Sequence, residues 1–305
     1  MSYKKGLLLV FLTAVISGFS IFLNKFGVNG INPYFFTFSK NIAVALLLLS
    51  VILVMGELKA VKQLKRDQWL KLGLVGLIGG SIPFLLFFKG LSIISSANAA
   101  FIHKIMFFFV AVLALIFLKE KINKSFIVAA ALLLVGNFFL LRFTWNNLGF
   151  GELLILLATL FWAGENVLSK HLLKDLTPKI VAFGRMFFGS IFILAFLMAT
   201  GNMSAANLGL SHWLWIAVTS LLLFGYVITW YTGLKHIEVS TATCVLLLGS
   251  VITTVLSSIF LSQAVTISEI LGMAAITSGV ALTAILASKS SLLQRLSAHR
   301  HSRSP

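Results

Sequence analysis

The chain has 305 residues, of which 59% are hydrophobic and only 10% charged, and its mean hydropathy is +1.03. Soluble domains carry about 25% charged residues, so this composition excludes a water-soluble globule. The single cysteine, Cys244, excludes a disulfide framework and a thiolate metal site.

Taken in chain order, the first apolar run covers 6–26 and follows Lys4 and Lys5. It lacks a small-x-small cleavage site and is long for a signal-peptide core, so it reads as a transmembrane helix. Nine further runs follow, at roughly 34–55, 69–88, 96–118, 124–142, 150–170, 179–199, 212–233, 240–261 and 267–287. Each is near the ~20 residues needed to cross a hydrocarbon core. The breaks are short, so consecutive helices are antiparallel neighbours. After Ala287 comes a basic tail with no apolar face, expected to stay unfolded.

Lysine and arginine set the orientation. With the N-terminus inside, eighteen of the 24 fall in inner segments and only Lys89 and Arg142 at outer ends. This split supports ten spans with both termini cytoplasmic in an inner, bacterial-type plasma membrane. It also accounts for most of the net charge of +16 without nucleic-acid binding.

The two halves repeat. With Pro33 on Pro178, NPYFFTFSKN falls on TPKIVAFGRM, and Lys40 meets Arg185. At the same offset of 145, Lys25 meets Lys170, Asn24 meets Ser169 and Ser20 meets Glu165. Further on, the offset is 143. KGLSIISSANAAF falls on TGLKHIEVSTATC, IFLKEKI on IFLSQAV, and Gly136 on Gly279. Five helices is an odd number, so the second unit enters from the opposite side. The fold expected is all-α, with ten transmembrane helices as two inverted five-helix repeats over residues 1–145 and 146–288 and a basic cytoplasmic tail over 289–305. Inverted repeats suit alternating access around a mid-membrane site.

In its duplicated five-helix unit, its "GL...S.A.A" entry to each fourth helix and its "FLKE" ending, the chain resembles the ten-helix EamA branch of the drug/metabolite transporter superfamily. The resemblance covers nearly all of residues 6–287. It implies a central cavity lined by helices 1–4 and 6–9, with helices 5 and 10 as scaffold. It also implies cargo such as amino acids, nucleotide-related metabolites or drug-like molecules, often exported. Family members often carry a proline midway along each fourth helix, where this chain has about Phe107 and Ser250.

Charge inside a bilayer is costly and marks candidate function. Glu165 and Arg185 lie at similar depths on adjacent helices and are expected to pair, either as a structural lock or as a gate or solute contact. Lys40 either snorkels or faces a wet cavity. Lys104 is too deep to snorkel easily and is expected to face the cavity, with His103 as a packing residue. Lys25 reads as interfacial. Trp162 and Asn166 share a face of helix 6 beside Glu165. Ser20 and Asn98 add polar groups. Tyr226, Trp230 and Tyr231 form an aromatic wall or face lipid. The substrate-binding or gating candidates are therefore Lys40, Lys104, Glu165, Arg185, Trp162, Asn166, Ser20, Asn98, Tyr226 and Trp230. Their net positive charge favours a carboxylate- or phosphate-bearing solute.

No phosphate-cradling loop, metal-ligand cluster or nucleophile–base constellation stands out, so no cofactor and no enzyme activity are expected. The expected function is secondary transport of small organic metabolites, with a small-molecule solute and membrane lipids as partners and a homodimer left open. A lipid flippase with a lateral groove, a membrane enzyme and a structural subunit with a dry centre are the rival readings.

Overall fold

The computed structural model of the chain describes residues 2–120, 124–140, 149–202 and 208–301. The ten main helices are α1 Tyr3–Gly27, α2 Pro33–Val54, α3 Arg66–Ile93, α4 Ser96–Leu118, α5 Lys124–Phe139, α6 Phe150–Leu172, α7 Pro178–Thr200, α8 Leu210–Leu234, α9 Val239–Leu261 and α10 Ile267–His301. No strand occurs among the described residues. Nine of these helices are long and apolar enough to span a membrane. The tenth, α5, is shorter at 16 residues, about 24 Å. Arg142 and the boundary placed at 145/146 lie outside the described residues. Contrary to expectation, α10 does not stop near Ala287 but continues as helix to His301. A run that needs no apolar partner can still extend a helix already nucleated by the span before it.

The local chemistry repeats with the sequence. Asn32 and Thr177 cap the two second helices, accepting from the amides of Tyr34 and Ile180, and each is followed by proline at the first helical position. Packing between the halves is reciprocal. α1 lies on α8 and α9, its counterpart α6 lies on α3 and α4, and α2 meets α7 as α5 meets α10.

Glycine allows these crossings. A Cβ on Gly233 would lie 2.9 Å from the Gly6 carbonyl oxygen, and one on the equivalent Gly90 would lie 2.8 Å from that of Gly151. With no hydrophobic effect to drive helices together in lipid, such close approach supplies the packing. The helix ends show the inversion directly. The start of α1 and the end of α8 meet through Gly6 and Gly233, and Tyr3 Oη donates to Glu238 at 3.3 Å. The end of α6 reaches the same face, where Lys170 Nζ donates to the carbonyls of Leu234 and Ile237 at 2.7 Å each. On the opposite face Lys25 does the same for α3, donating to Leu91 at 2.9 Å and Ile94 at 2.8 Å. Thus α1 starts where α6 ends, and the two equivalent lysines cap equivalent helices from opposite faces.

Both fourth helices break without proline. The interruptions fall at Ile105 in α4 and Leu247 in α9. Side chains satisfy the carbonyls at the breaks, as hydrocarbon demands. Asn137 Nδ2 donates to Phe101 and Thr159 Oγ1 to Ile102, while Ser250 Oγ donates to Leu247 at 2.6 Å. The helices end alike, at Lys119 and Ser262, with φ of 56° and 51°.

A Cβ on Gly80, where α3 crosses α7, would sit 2.1 Å from the Arg185 carbonyl oxygen. Gly80→Ala is therefore expected to destabilise the fold by about 1–3 kcal/mol. Gly73→Ala, with nothing within 4 Å, should be neutral or stabilising. Thermal unfolding in detergent compares the two.

Candidate functional site

A cavity lies where the two repeats meet. It is lined by α1 (Ser17, Ser20, Ile21, Asn24), α2 (Lys40), α3 (Phe84, Phe87, Phe88), α4 (His103, Met106), α6 (Trp162, Glu165, Asn166), α7 (Arg185) and α8 (Leu223, Tyr226). Helices α5 and α10 contribute nothing to this lining. α9 is also absent from it, unlike the pattern the resemblance implied. The enclosed space is small, about 70 Å³. That is room for a few water molecules, well below the ~300 Å³ of a pocket that holds a drug-sized ligand.

A wide, π-helical turn at Gly76–Ser81 of α3 builds one side. Such turns release backbone groups from the regular ladder and recur at functional sites. Here the Gly79 carbonyl accepts from Trp162 Nε1 at 2.9 Å and from Arg185 Nε at 3.1 Å. The Gly80 carbonyl accepts from Asn41 Nδ2 at 2.7 Å. No side chain fits at position 79, because a Cβ there would lie 2.1 Å from Glu165 Cγ.

Glu165 is fully buried. Its Oε1 accepts from Tyr231 Oη and Ser169 Oγ, both at 2.5 Å. Its Oε2 is 3.9 Å from Arg185 Nη2 and has no hydrogen-bond partner. The two side chains expected to pair do so, but loosely, since 3.9 Å is beyond hydrogen-bond range. Arg185 also faces the rings of Phe84 at 5.4 Å and Tyr231 at 6.0 Å.

Lys40 occupies the position related to Arg185 by the repeat. It does not snorkel, for only 1% of it is exposed. Its Nζ donates to Asn24 Oδ1 and lies over Phe88 at 4.3 Å and Phe36 at 5.0 Å. Asn24 is held in turn by donating to Ser20. The repeat thus gives each half a cation on its second helix, backed by aromatic rings. Only the second half adds a carboxylate.

Lys104 and His103 exchange the roles expected of them. Lys104 is 2% exposed and donates to Ser17 Oγ at 2.7 Å. It packs against Gly249 of α9, one layer behind the cavity wall. His103 lines the cavity, between Trp162 and Phe87 at centroid distances of 4.9 and 5.6 Å, and its Nδ1 has no partner. Tyr226 lines the cavity and stacks on Trp230, which stands behind it and donates to Asn166 Oδ1 at 2.9 Å. Asn98 is elsewhere, in the first turn of α4, where its backbone N–H donates to Ser95 Oγ. The structure therefore brings Lys40, Glu165, Arg185, Trp162, Asn166, Ser20 and Tyr226 to one cavity and leaves Lys104, Trp230 and Asn98 outside its lining. Sequence reading passed over Phe84, Phe87 and Phe88, because nothing sets them apart from the other phenylalanines among 28.

Between the two repeats lies a central cavity whose mainly apolar lining carries buried charged groups, and the comparison with known proteins points to transport. Residues 4–142 and 149–285 match the EamA-like transporter family. The chain belongs to that family. Among similar proteins, an uncharacterized transporter of Archaeoglobus fulgidus is 26% identical over 91% of this chain and 97% of its own length. The riboflavin transporter ImpX of Fusobacterium nucleatum is 25% identical over 79% of this chain and 85% of its own. A solved crystal structure with 18% identity superposes with a TM-score of 0.76 over 92% of this chain and 98% of the other, which shows the shared fold. The protein is thus an integral membrane protein of a small-molecule transporter family.

Glu165→Ala would leave Arg185 as an uncompensated buried charge. It is expected to cost about 3–5 kcal/mol. The double variant Glu165→Ala/Arg185→Met should recover much of that loss. Thermal unfolding in detergent measures both.

Proposed function

We propose that this chain is a secondary transporter of small organic anions, carboxylate-bearing metabolites and amino acids among them, working as an exporter by alternating access. The observation that carries this reading is the symmetric pair Lys40 and Arg185. Each lies seven residues inside the start of its helix, about 10 Å deep from opposite faces. They flank the cavity with Glu165 as the carboxylate among its lining residues, so the site carries a formal positive excess. Glu165 Oε2 and His103 Nδ1 are buried without a hydrogen-bond partner, polar atoms that a solute would satisfy once the site opens. An amino acid fits this set, with its carboxylate between the cations and its ammonium group at Oε2.

The charged groups buried at the cavity and the unsatisfied polar atoms beside them favour transport over a structural subunit. The cavity is central and its charged lining buried, which favours a water-soluble solute over a flipped lipid. Riboflavin is the solute named for the Fusobacterium relative; two cations set against one carboxylate at this cavity suit an anion better.

The small volume of the cavity suits a carrier closed on its N-terminal face. There Lys179 is salt-bridged to Glu57, and Glu120 accepts from the Val239 and Ser240 amides that begin α9. The opposite face is tied by a neutral contact, Asn32 to Asn202 at 3.0 Å. With the positive-inside orientation, the N-terminal face is cytoplasmic, and opening it admits cargo from the cell.

Reconstituted in liposomes, the protein is expected to exchange labelled carboxylates or amino acids in preference to lipophilic cations. Lys40→Ala and Arg185→Ala should each reduce transport by ten-fold or more, on the order of the ~1.5–3 kcal/mol of a charge-assisted hydrogen bond. Lys104→Ala, which removes only the bond to Ser17 from behind the cavity wall, should impair it less than either. A preference for lipophilic cations would overturn the reading.

A further inference from the structure

Outside the central cavity, on the N-terminal face, two depressions adjoin at Leu118. One, of about 290 Å³, is polar and lined by Lys170, Lys174, Lys235 and His236 with Glu120 and Glu238. The other, of about 410 Å³, is apolar and runs between α4 and α6, along Leu113, Phe117, Gly164, Val167 and Leu168. Both carboxylates of the polar pocket are already engaged. Glu120 accepts from the first amides of α9 and from the Ser240 hydroxyl, and Glu238 accepts from Tyr3 Oη. The lysines have protons to spare. Lys170 gives bonds to two carbonyls, Lys235 gives one to Leu176, and Lys174 is exposed.

The two depressions together match one kind of molecule. Gly164 lies eight residues above the end of α6, about 12 Å into the span, and nothing lies within 4 Å of where its Cβ would be. Phe117 is 69% exposed beside it. A soluble anion has no use for an apolar trough at that depth. The basic C-terminal tail would be repelled by the lysines, and a second copy of so cationic a chain is a poor match for them. We infer that this paired depression binds an anionic phospholipid, its phosphate among Lys170, Lys174 and Lys235 and an acyl chain along the trough between α4 and α6. Basic pockets between helices on the cytoplasmic side recognise lipid headgroups in this way. The lipid is a resident ligand rather than cargo, because it lies outside the central cavity, and the assignment does not depend on which solute is carried.

The test is native mass spectrometry of the delipidated full chain, titrated with phosphatidylglycerol, phosphatidylcholine or inorganic phosphate. Phosphatidylglycerol should bind with a defined stoichiometry, at least five-fold more tightly than phosphatidylcholine. Lys174→Ala should weaken it roughly five-fold, as for one juxtamembrane lysine. Gly164→Phe, which fills the trough but leaves every lysine, should weaken it as much or more. Thermal unfolding like that of the parent chain establishes that both variants are folded. Equal binding of phosphatidylcholine, competition by inorganic phosphate at similar concentration, or full phosphatidylglycerol binding by Gly164→Phe would each overturn the assignment.

Discussion

An arginine with 4% of its surface exposed inside a membrane bundle must be surrounded by acceptors, and the centre of this protein is organised around that demand. A charge at bilayer depth costs at least about 2.5–3.5 kcal/mol on insertion scales. Arg185 meets the cost with three groups from three helices: the Glu165 carboxylate of α6, the Gly79 carbonyl of α3 and the Tyr231 ring of α8. The carbonyl is available because α3 widens into a π-helical turn, and the carboxylate can approach because position 79 has no side chain. A local backbone irregularity, a glycine and an ion pair therefore form one unit.

The same site is built twice, with different chemistry each time. Duplication set a cation on α2 and on α7, each over a ring of the following helix, Phe88 for Lys40 and Tyr231 for Arg185. At the position equivalent to Glu165 the first half has Ser20, so Lys40 meets an amide where Arg185 has a carboxylate. The pseudo-symmetric frame and its asymmetric charge are what a carrier needs. The frame relates the two halves by pseudo-symmetry, and the unequal charges make them chemically distinct.

Structural roles follow the repeat more strictly than the site does. Lys25 and Lys170 terminate equivalent helices. Gly6–Gly233 and Gly90–Gly151 make equivalent crossings. Both fourth helices break where proline is common in the family, yet here Asn137, Thr159 and Ser250 satisfy the carbonyls at the breaks. The need to pair backbone groups in hydrocarbon is met by side chains when the ring is missing.

The spans, the inverted duplication and the pairing of Glu165 with Arg185 were legible in the sequence. Hydropathy, lysine asymmetry and a constant offset report one-dimensional quantities, and membrane depth is itself nearly one-dimensional. The rotation of each helix about its axis was not legible. That angle sent His103 into the cavity and Lys104 behind it, drew Lys40 inward instead of letting it snorkel, and left Asn98 outside the cavity lining. Nor did sequence single out Phe84, Phe87 and Phe88, since in a chain this apolar a cavity-facing ring and a lipid-facing ring look alike. Depth along the normal follows from counting residues, but facing depends on which neighbours pack against the helix, and only the tertiary structure decides that.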